Sequence, residues 1–259
     1  MSLLEKNGKN RLLSQAHVNR LAREIREGRW QYNGDTIKIA NNDDVLDGQH
    51  RLWAAIEAQM PIKTIIVNGI EPDAFTTIDT IRRTRSHADT VYLHGVHSNT
   101  NAIATGLNWL LRWKSGTITN STYRQSGKRI ENEDIKKAMI EHPNMVAAVQ
   151  KTRCLRNFAN HGMLACFYYM LCWRGSEGAA DDFLEAMRDA ALLSQRHPYF
   201  LLRRWLINHK AQQRRLDPEM AFAMMIKAAN ATHAGRRIDI LQWRNQGPRA
   251  EEFPTLSVS

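Results

Sequence analysis

Cysteine is scarce in this sequence, and its placement argues against a structural role. The 259 residues include three cysteines, Cys154, Cys166 and Cys172, and an odd number cannot form a complete disulfide framework. Their spacing fits no pattern of zinc ligands. We therefore expect buried thiols and no metal site.

Long apolar runs and a secretory signal are also missing. Hydrophobic residues make up 43% of the chain, yet nothing approaches the run of about 18 apolar residues that is typical of a membrane span. The first residues, Met1–Lys6, lack the basic segment, apolar core and small-residue cleavage site of an exported protein. These absences predict a cytoplasmic protein without a membrane partner.

Strand patterns are confined to the first part of the chain. Apolar residues at helical spacing predict a helix over residues 14–27 and a second one over residues 49–59. The second helix is expected to bury Leu52, Ala55 and Ile56 on its apolar face. Alternating or β-branched residues predict three short strands, at residues 36–40, 45–46 and 64–67.

After the third strand the sequence predicts helices throughout. Residues 73–80 are expected to form one, and Ser86 with Asp89 is the capping box of another. Further helices are predicted near residues 99–114, 132–141, 143–155, 158–173, 178–193, 198–209 and 217–234. Residues 115–127 form the clearest long loop. The tail after Gly247 is expected to be extended and to fold back onto the body.

These patterns divide the chain into two domains, and charge divides it in the same way. We place a mixed domain at residues 1–97 and a helical domain at residues 98–259. The first has 13 Lys and Arg against 12 Asp and Glu, and the second has 23 against 14. Nearly all of the net charge of +10 belongs to the helical domain, which indicates a polyanionic partner.

The segment Asp47-Gly48-Gln49-His50-Arg51 joins the second strand directly to a helix. Such a turn directs backbone N–H groups and the positive end of the helix dipole at one point, where anions bind. Gly48 would let the backbone approach a phosphate closely, and Gln49, His50 and Arg51 add side-chain donors. In the alternative interpretation, Asp47 caps the helix and Arg51 pairs with a surface carboxylate.

The sequence around this turn resembles that of a known superfamily. Residues 45–55, VLDGQHRLWAA, are similar to the phosphate-binding motif of the ParB/sulfiredoxin superfamily, in the version of the DGQHR-motif, DndB-like proteins. The resemblance covers roughly residues 10–95, by the order of the motifs. The whole chain also resembles uncharacterised phage and plasmid proteins, which implies a bacterial or phage-infected host cell.

The resemblance implies a nucleotide site and further residues that would form it. Asn10 and Arg11 match the basic element that opens ParB-type domains. Arg82, Arg83 and Arg85 match the downstream segment that completes a triphosphate site. These residues would join the turn in binding a nucleoside triphosphate, ATP or CTP, with Mg²⁺ as a candidate ion.

Departures from the family narrow the predicted function. Residues 1–97 contain no cysteine, which excludes sulfiredoxin chemistry, and the paired arginines of ParB are His50 and Arg51 here. We find no convincing helix-turn-helix, so a partition function is not predicted. For catalysis, Asp47, His50 and Asp79 are the candidates to orient a nucleophile or hold a metal ion. In the competing interpretation, Asp47 forms the turn and Asp79 pairs with the neighbouring arginines.

A dense basic set in the helical domain is interleaved with Trp205 and Trp243. Such a set would neutralise phosphates, and the rings could stack on bases. The alternative is a solvated charged face over a tryptophan-containing core. The candidate nucleic-acid-binding residues are Arg203, Arg204, Lys210, Arg214, Arg215, Arg236 and Arg237.

The sequence thus predicts an α+β protein in two parts. A ParB/sulfiredoxin-like N-terminal domain with a small mixed sheet is followed by an all-α basic C-terminal domain that presents or dimerises it. The predicted function is that of a ParB-like nucleotide-binding protein that acts on or with DNA as an NTPase or phosphotransferase. The alternatives are a non-catalytic DNA-binding regulator and a metal-dependent nuclease. A homodimer is also among the expected partners.

Overall fold

The computed structural model describes residues 4, 13–77, 86–126, 129–175, 177–191, 193–212 and 216–257, with the backbone alone for residues 75–77. The chain divides into two compact units, residues 1–84 with 127–129, and residues 85–126 with 130–259. The described elements are helices and one small mixed sheet, which confirms an α+β protein.

The mixed unit contains all the described strands. In chain order it has α1 (Gln15–Arg26), β1 (Thr36–Ala40), β2 (Val45–Asp47), α2 (Gln49–Ala58), β3 (Ile65–Ile70) and a 3₁₀ helix (Pro72–Thr77). Strand β1 is central, antiparallel to β2 and parallel to β3. The predicted strands are confirmed, with β3 continuing through Asn68 and Gly69 beyond its β-branched run.

Helices α1 and α2 pack against each other, and α2 contributes small side chains to the contact. The contact is a buried cluster of Val18, Ala22, Ile25, Ala54 and Ala58. The predicted apolar face of α2 was wrong, since Ile56 is 55% exposed while His50 is buried. Residues 50, 54 and 58 share a face because they are four apart. Alanine at two of these positions lets α1 approach more closely than larger side chains would.

The division between the units lies before α3 (His87–Leu93), not after residue 97 as the sequence suggested. The predicted capping box of Ser86 and Asp89 does begin this helix. Helix α3 packs against α4 (Thr100–Lys114), and its buried Val91 belongs to the core of the helical unit. Packing therefore assigns this segment to the helical unit.

Helix α8 (His161–Arg174) is the centre of the helical unit. Residues 162–171 are all buried, as is typical of a helix that neighbours surround. Its closest contact is with α4, where a Cβ on Gly162 would lie 2.5 Å from the carbonyl oxygen of Ala102. Glycine at this position therefore allows the two helix backbones to touch.

The other helices lie near their predicted positions, with one addition. They are α5 (Asn120–Gln125), α6 (Asn132–Glu141), α7 (Met145–Lys151), a 3₁₀ helix (Thr152–Leu155), α9 (Glu177–Arg188), α10 (Pro198–Ala211) and α11 (Pro218–His233). The prediction of an uninterrupted loop over residues 115–127 was wrong, because α5 lies there. Thr119 caps it by accepting from the N–H of Thr122. Among the described helices, none combines the length and apolar character that a membrane crossing requires.

The C-terminal tail is extended and folds back onto α11, as expected. The side chain of Asn230 donates to the carbonyl oxygen of Thr255 at 2.8 Å and accepts from the N–H of Ser257 at 2.9 Å. The rings of Trp243 and Phe253 meet edge to face, with centroids 5.3 Å apart. The ion pair between Lys227 of α11 and Glu251 adds to these contacts in attaching the tail.

The three cysteines are free thiols of the helical unit. Cys166 is buried as expected, and burial raises the pKa of its thiol. Cys172 is half-buried, whereas the expectation of burial was wrong for Cys154, which is exposed. It lies on a 3₁₀ helix that turns Thr152 and Leu155 inward instead. Within the described part of the chain, no cluster of His, Cys, Asp or Glu is placed to hold a metal ion.

Candidate functional site

The turn between β2 and α2 is shaped by its glycine. Asp47 ends β2 opposite Lys38 of β1, and Gly48 is the N-cap of α2 with φ of 103°. Residues with a side chain rarely adopt this conformation. A Cβ on Gly48 would also lie 2.9 Å from Cγ1 of Ile37. The fold therefore requires glycine here before any ligand is considered.

Arg51 lies in the first turn of α2, and two carboxylates from outside the helix contact it. Its Nη2 donates to Oδ2 of Asp47 at 3.0 Å, and its Nη1 lies 4.0 Å from Oδ2 of Asp35. The Arg51 side chain is 13% exposed, and its buried Nη1 hydrogen-bonds to none of the described residues. The alternative interpretation is half right, because Arg51 does pair with carboxylates, but Gly48 and not Asp47 is the cap.

His50 connects the two helices of the mixed unit. Its Nε2 accepts a hydrogen bond from the backbone N–H of Ser14, the N-cap of α1, at 3.1 Å. A ring nitrogen that accepts from the backbone cannot donate to a phosphate at the same time. His50 is 7% exposed and Gln49 is 3% exposed. Both of these predicted phosphate ligands are therefore part of the interior of the turn.

The bond from Ser14 to His50 brings the N-terminal ends of α1 and α2 together. Neither helix has an acidic residue in its first turn, so Asp47, which precedes the N-cap of α2 and pairs with Arg51, is the carboxylate that an anion would meet there. The rings of His17 and His50 meet edge to face with centroids 4.9 Å apart. Nη2 of Arg20 donates to Nδ1 of His17 at 3.1 Å. Two helix ends and the side chains of α1 thus border the turn.

Sequence reasoning did not single out His17 and Arg20 as site residues. Their three-residue spacing places them on one face of α1, and that was the only signal available. Nothing in the local pattern showed that this end of α1 would meet the start of α2. The contact is visible only in the packed structure.

Several predicted site residues fall outside the described part of the chain. They are Asn10, Arg11, Asp79, Arg82, Arg83 and Arg85. Their expected part in binding a triphosphate, and that of Asp79 in catalysis, stays a prediction.

The predicted nucleic-acid-binding residues belong to the helical unit. Arg203, Arg204 and Lys210 lie on α10, and the exposed Arg236 and Arg237 follow α11. Arg214 and Arg215 lie outside the described residues. Trp243 is buried and Trp205 packs against the core. Trp243 is therefore a core residue, as the alternative interpretation held, and offers no open face for stacking.

The proposed family of this chain rests on the motif in residues 45–55 and on the order of elements around it. Comparisons of the chain with known protein families, with curated proteins and with solved structures found no match. The resemblance to ParB/sulfiredoxin proteins therefore stays a prediction.

Proposed function

We propose that this protein binds a phosphate group of a nucleotide or nucleic acid at the β2–α2 turn, and that it acts on or with DNA. The observation that carries this proposal is the meeting of the α1 and α2 N-termini beside Arg51. Backbone N–H groups at helix ends attract anions, and two such ends attract more strongly than one. Arginine adds a planar fork that matches phosphate oxygens.

Asp47 has a specific part in this proposal, which is to orient Arg51. A guanidinium has five N–H donors, and the bond to Asp47 occupies one of those on Nη2. Nη1 has no hydrogen-bond acceptor among the described residues. An unsatisfied buried donor costs about 1–3 kcal/mol, so a phosphate oxygen that approached Nη1 would remove this cost. Asp47 then acts as a positioning residue.

The turn supports binding more directly than turnover. Asp47 pairs with Arg51, and Nε2 of His50 accepts from Ser14, so both described candidates for catalysis have structural partners. We therefore place the non-catalytic DNA-binding regulator first. The NTPase or phosphotransferase, with ATP or CTP and Mg²⁺, comes second, because it would need a carboxylate such as Asp79 to act on the nucleophile or the metal.

Thermal shift with a panel of nucleotides and a short DNA duplex tests the turn, since a ligand that binds the native state raises its midpoint. The duplex and ATP, CTP, GTP and UTP with Mg²⁺ are compared on wild type, Arg51→Met and Arg29→Met. Arg29 is the matched control, because it is an arginine of the same unit that pairs with Glu24 and Glu27, each at 2.7 Å.

Stabilisation of wild type and Arg29→Met, but not of Arg51→Met, is the expected result. Equal stabilisation of all three proteins would place the phosphate elsewhere and refute the proposal. Phosphate release measured on the same samples separates the two candidates, because a regulator binds without steady hydrolysis.

A further inference from the structure

A cavity of about 330 Å³ opens on the helical unit between the end of α10 and the start of α8. Phe158, Met163, Leu206 and Leu216 form its apolar lining. Each of them belongs to the core or packs against it, and close-packed core side chains hold their positions. The cavity is therefore preformed, and its volume is that of a site for a small ligand group.

Two exposed cations, Arg156 and Lys210, also line this cavity. Neither forms an ion pair with any residue that the structure describes. Lys210 donates to the carbonyl oxygen of Asn157 at 3.0 Å, which holds its ammonium group at the rim. The guanidinium of Arg203 lies 5.6 Å from the centroid of the Phe158 ring and adds positive charge beside the apolar wall.

The nearby acidic side chains have other partners. Asp217, next to the lining residue Leu216, caps α11 by accepting from the N–H of Glu219 at 3.0 Å. The carboxylate of Glu219 accepts from the backbone N–H of Asn120. Because no carboxylate lines the cavity among its described residues, its charge favours an anionic ligand.

We propose that this cavity holds one nucleotide unit of a single-stranded nucleic acid. The base would lie against the apolar lining, with its phosphate at Arg156 and Lys210. A nucleotide has an apolar face and an adjacent anion, and this is the combination that the cavity presents. A base in a duplex would first have to leave its stack, at a cost of a few kcal/mol, so the single strand is the favoured source.

This inference rests on the proposed association with nucleic acid, but it uses a surface other than the β2–α2 turn. Fluorescence anisotropy of a labelled single strand of about 12 nucleotides tests it. The same strand with abasic sites, its duplex and free mononucleotides serve as competitors. The variants are Arg156→Ala/Lys210→Ala and, as a control with the same loss of charge, Lys136→Ala/Lys137→Ala on α6.

We expect the cavity variant to weaken single-strand binding by roughly tenfold or more, and to lower the salt slope by about 0.7, because the cavity holds one phosphate and each phosphate contact on a single strand contributes about 0.7. The control should retain nearly all of the affinity. The abasic strand should compete less well than the intact one. Ala159→Phe, which fills the cavity from its own lining, should remove the difference between those two strands.

Four results would overturn the inference. Equal weakening by the two double variants would show general attraction to a basic surface. An abasic strand that binds as tightly as the intact one would show phosphate contacts without a base site. Mononucleotides that bind more tightly than the strand would make this a small-molecule site. If Arg51-dependent nucleotide binding persists while no strand binds, the cavity proposal fails and the phosphate site at the turn survives.

Discussion

The β2–α2 turn and the cavity beside α10 both offer cations to a ligand, yet they are built in opposite ways. At the turn, Arg51 is mostly buried and pairs with Asp47 and Asp35. At the cavity, Arg156 and Lys210 are exposed and have no acidic partner among the described residues. A buried, oriented cation favours selective contact, whereas exposed cations give attraction that salt weakens. The motif and the charge excess therefore point to different physical roles.

Gly48→Ala should produce the largest loss of stability, because Gly48 is constrained both by its backbone conformation and by its close approach to Ile37. The left-handed conformation costs about 1–2 kcal/mol for alanine, and the overlap with Ile37 adds about 1–3 kcal/mol. We expect a loss of about 2–5 kcal/mol in urea unfolding. Gly28→Ala is the control, because φ is +67° there and nothing lies within 4 Å. Equal losses would show that the contact with Ile37 is unimportant.

Arg51→Met should cost about 1–3 kcal/mol, because it leaves the buried Asp47 carboxylate without its partner. The double variant Asp47→Asn/Arg51→Met should recover part of this loss, with a coupling of about 0.5–3 kcal/mol. Urea unfolding of the set, with hydrogen exchange of α2 as a local measurement, provides the check. If Arg51→Met were as stable as wild type, the pair of Arg51 and Asp47 would not stabilise the fold. Arg51 would then resemble the cations at the cavity.

The helical unit also contains a buried polar group, His142. It accepts from Nζ of Lys114 at 3.2 Å and contacts the hydroxyl of Tyr169 at 2.8 Å. Burial, and next the charge of Lys114, lower its pKa from the ordinary 6.5. The unfolded chain therefore binds a proton below pH 6.5 that the folded protein resists.

The contribution of neutral His142 to the free energy of unfolding is fully present above pH 6.5. It is lost as the pH drops toward the folded pKa, by at most about 1.4 kcal/mol per pH unit. Urea midpoints measured from pH 7.5 downward should show this decline, and His142→Gln should make it shallower. His197, whose pKa is lowered mainly by burial, acts in the same direction and remains in the variant. An unchanged slope in His142→Gln would contradict the assignment.

Arg156→Ala/Lys210→Ala should have the smallest effect on stability. Exposed side chains without ion pairs contribute within about 0.5 kcal/mol, so its melting temperature should match that of wild type. Arg51→Met, in contrast, should lower the stability, because Arg51 is mostly buried and pairs with Asp47. A marked loss in the cavity variant would mean that these cations stabilise the fold.

Much of the local structure could be predicted from the sequence. Helix α1, strand β1 and the capping box at Ser86 depend on neighbours a few residues away, and all are present as expected. The face of α2 was mispredicted because apolar spacing suggested Ile56, whereas the approach of α1 selected His50 and the alanines. Apolar spacing alone cannot show which side of a helix its neighbour will take.

The sequence by itself determined that a glycine turn would lead into a helix at residue 49 and that basic residues would concentrate in the helical part. Only the tertiary structure decided which charges are paired and which polar groups are buried. Ser14 and His50 are 36 residues apart in the chain, and Lys210 and Asn157 are 53 apart. Electrostatic partners act over a few ångströms, so contacts between such distant segments are set by packing and not by sequence pattern.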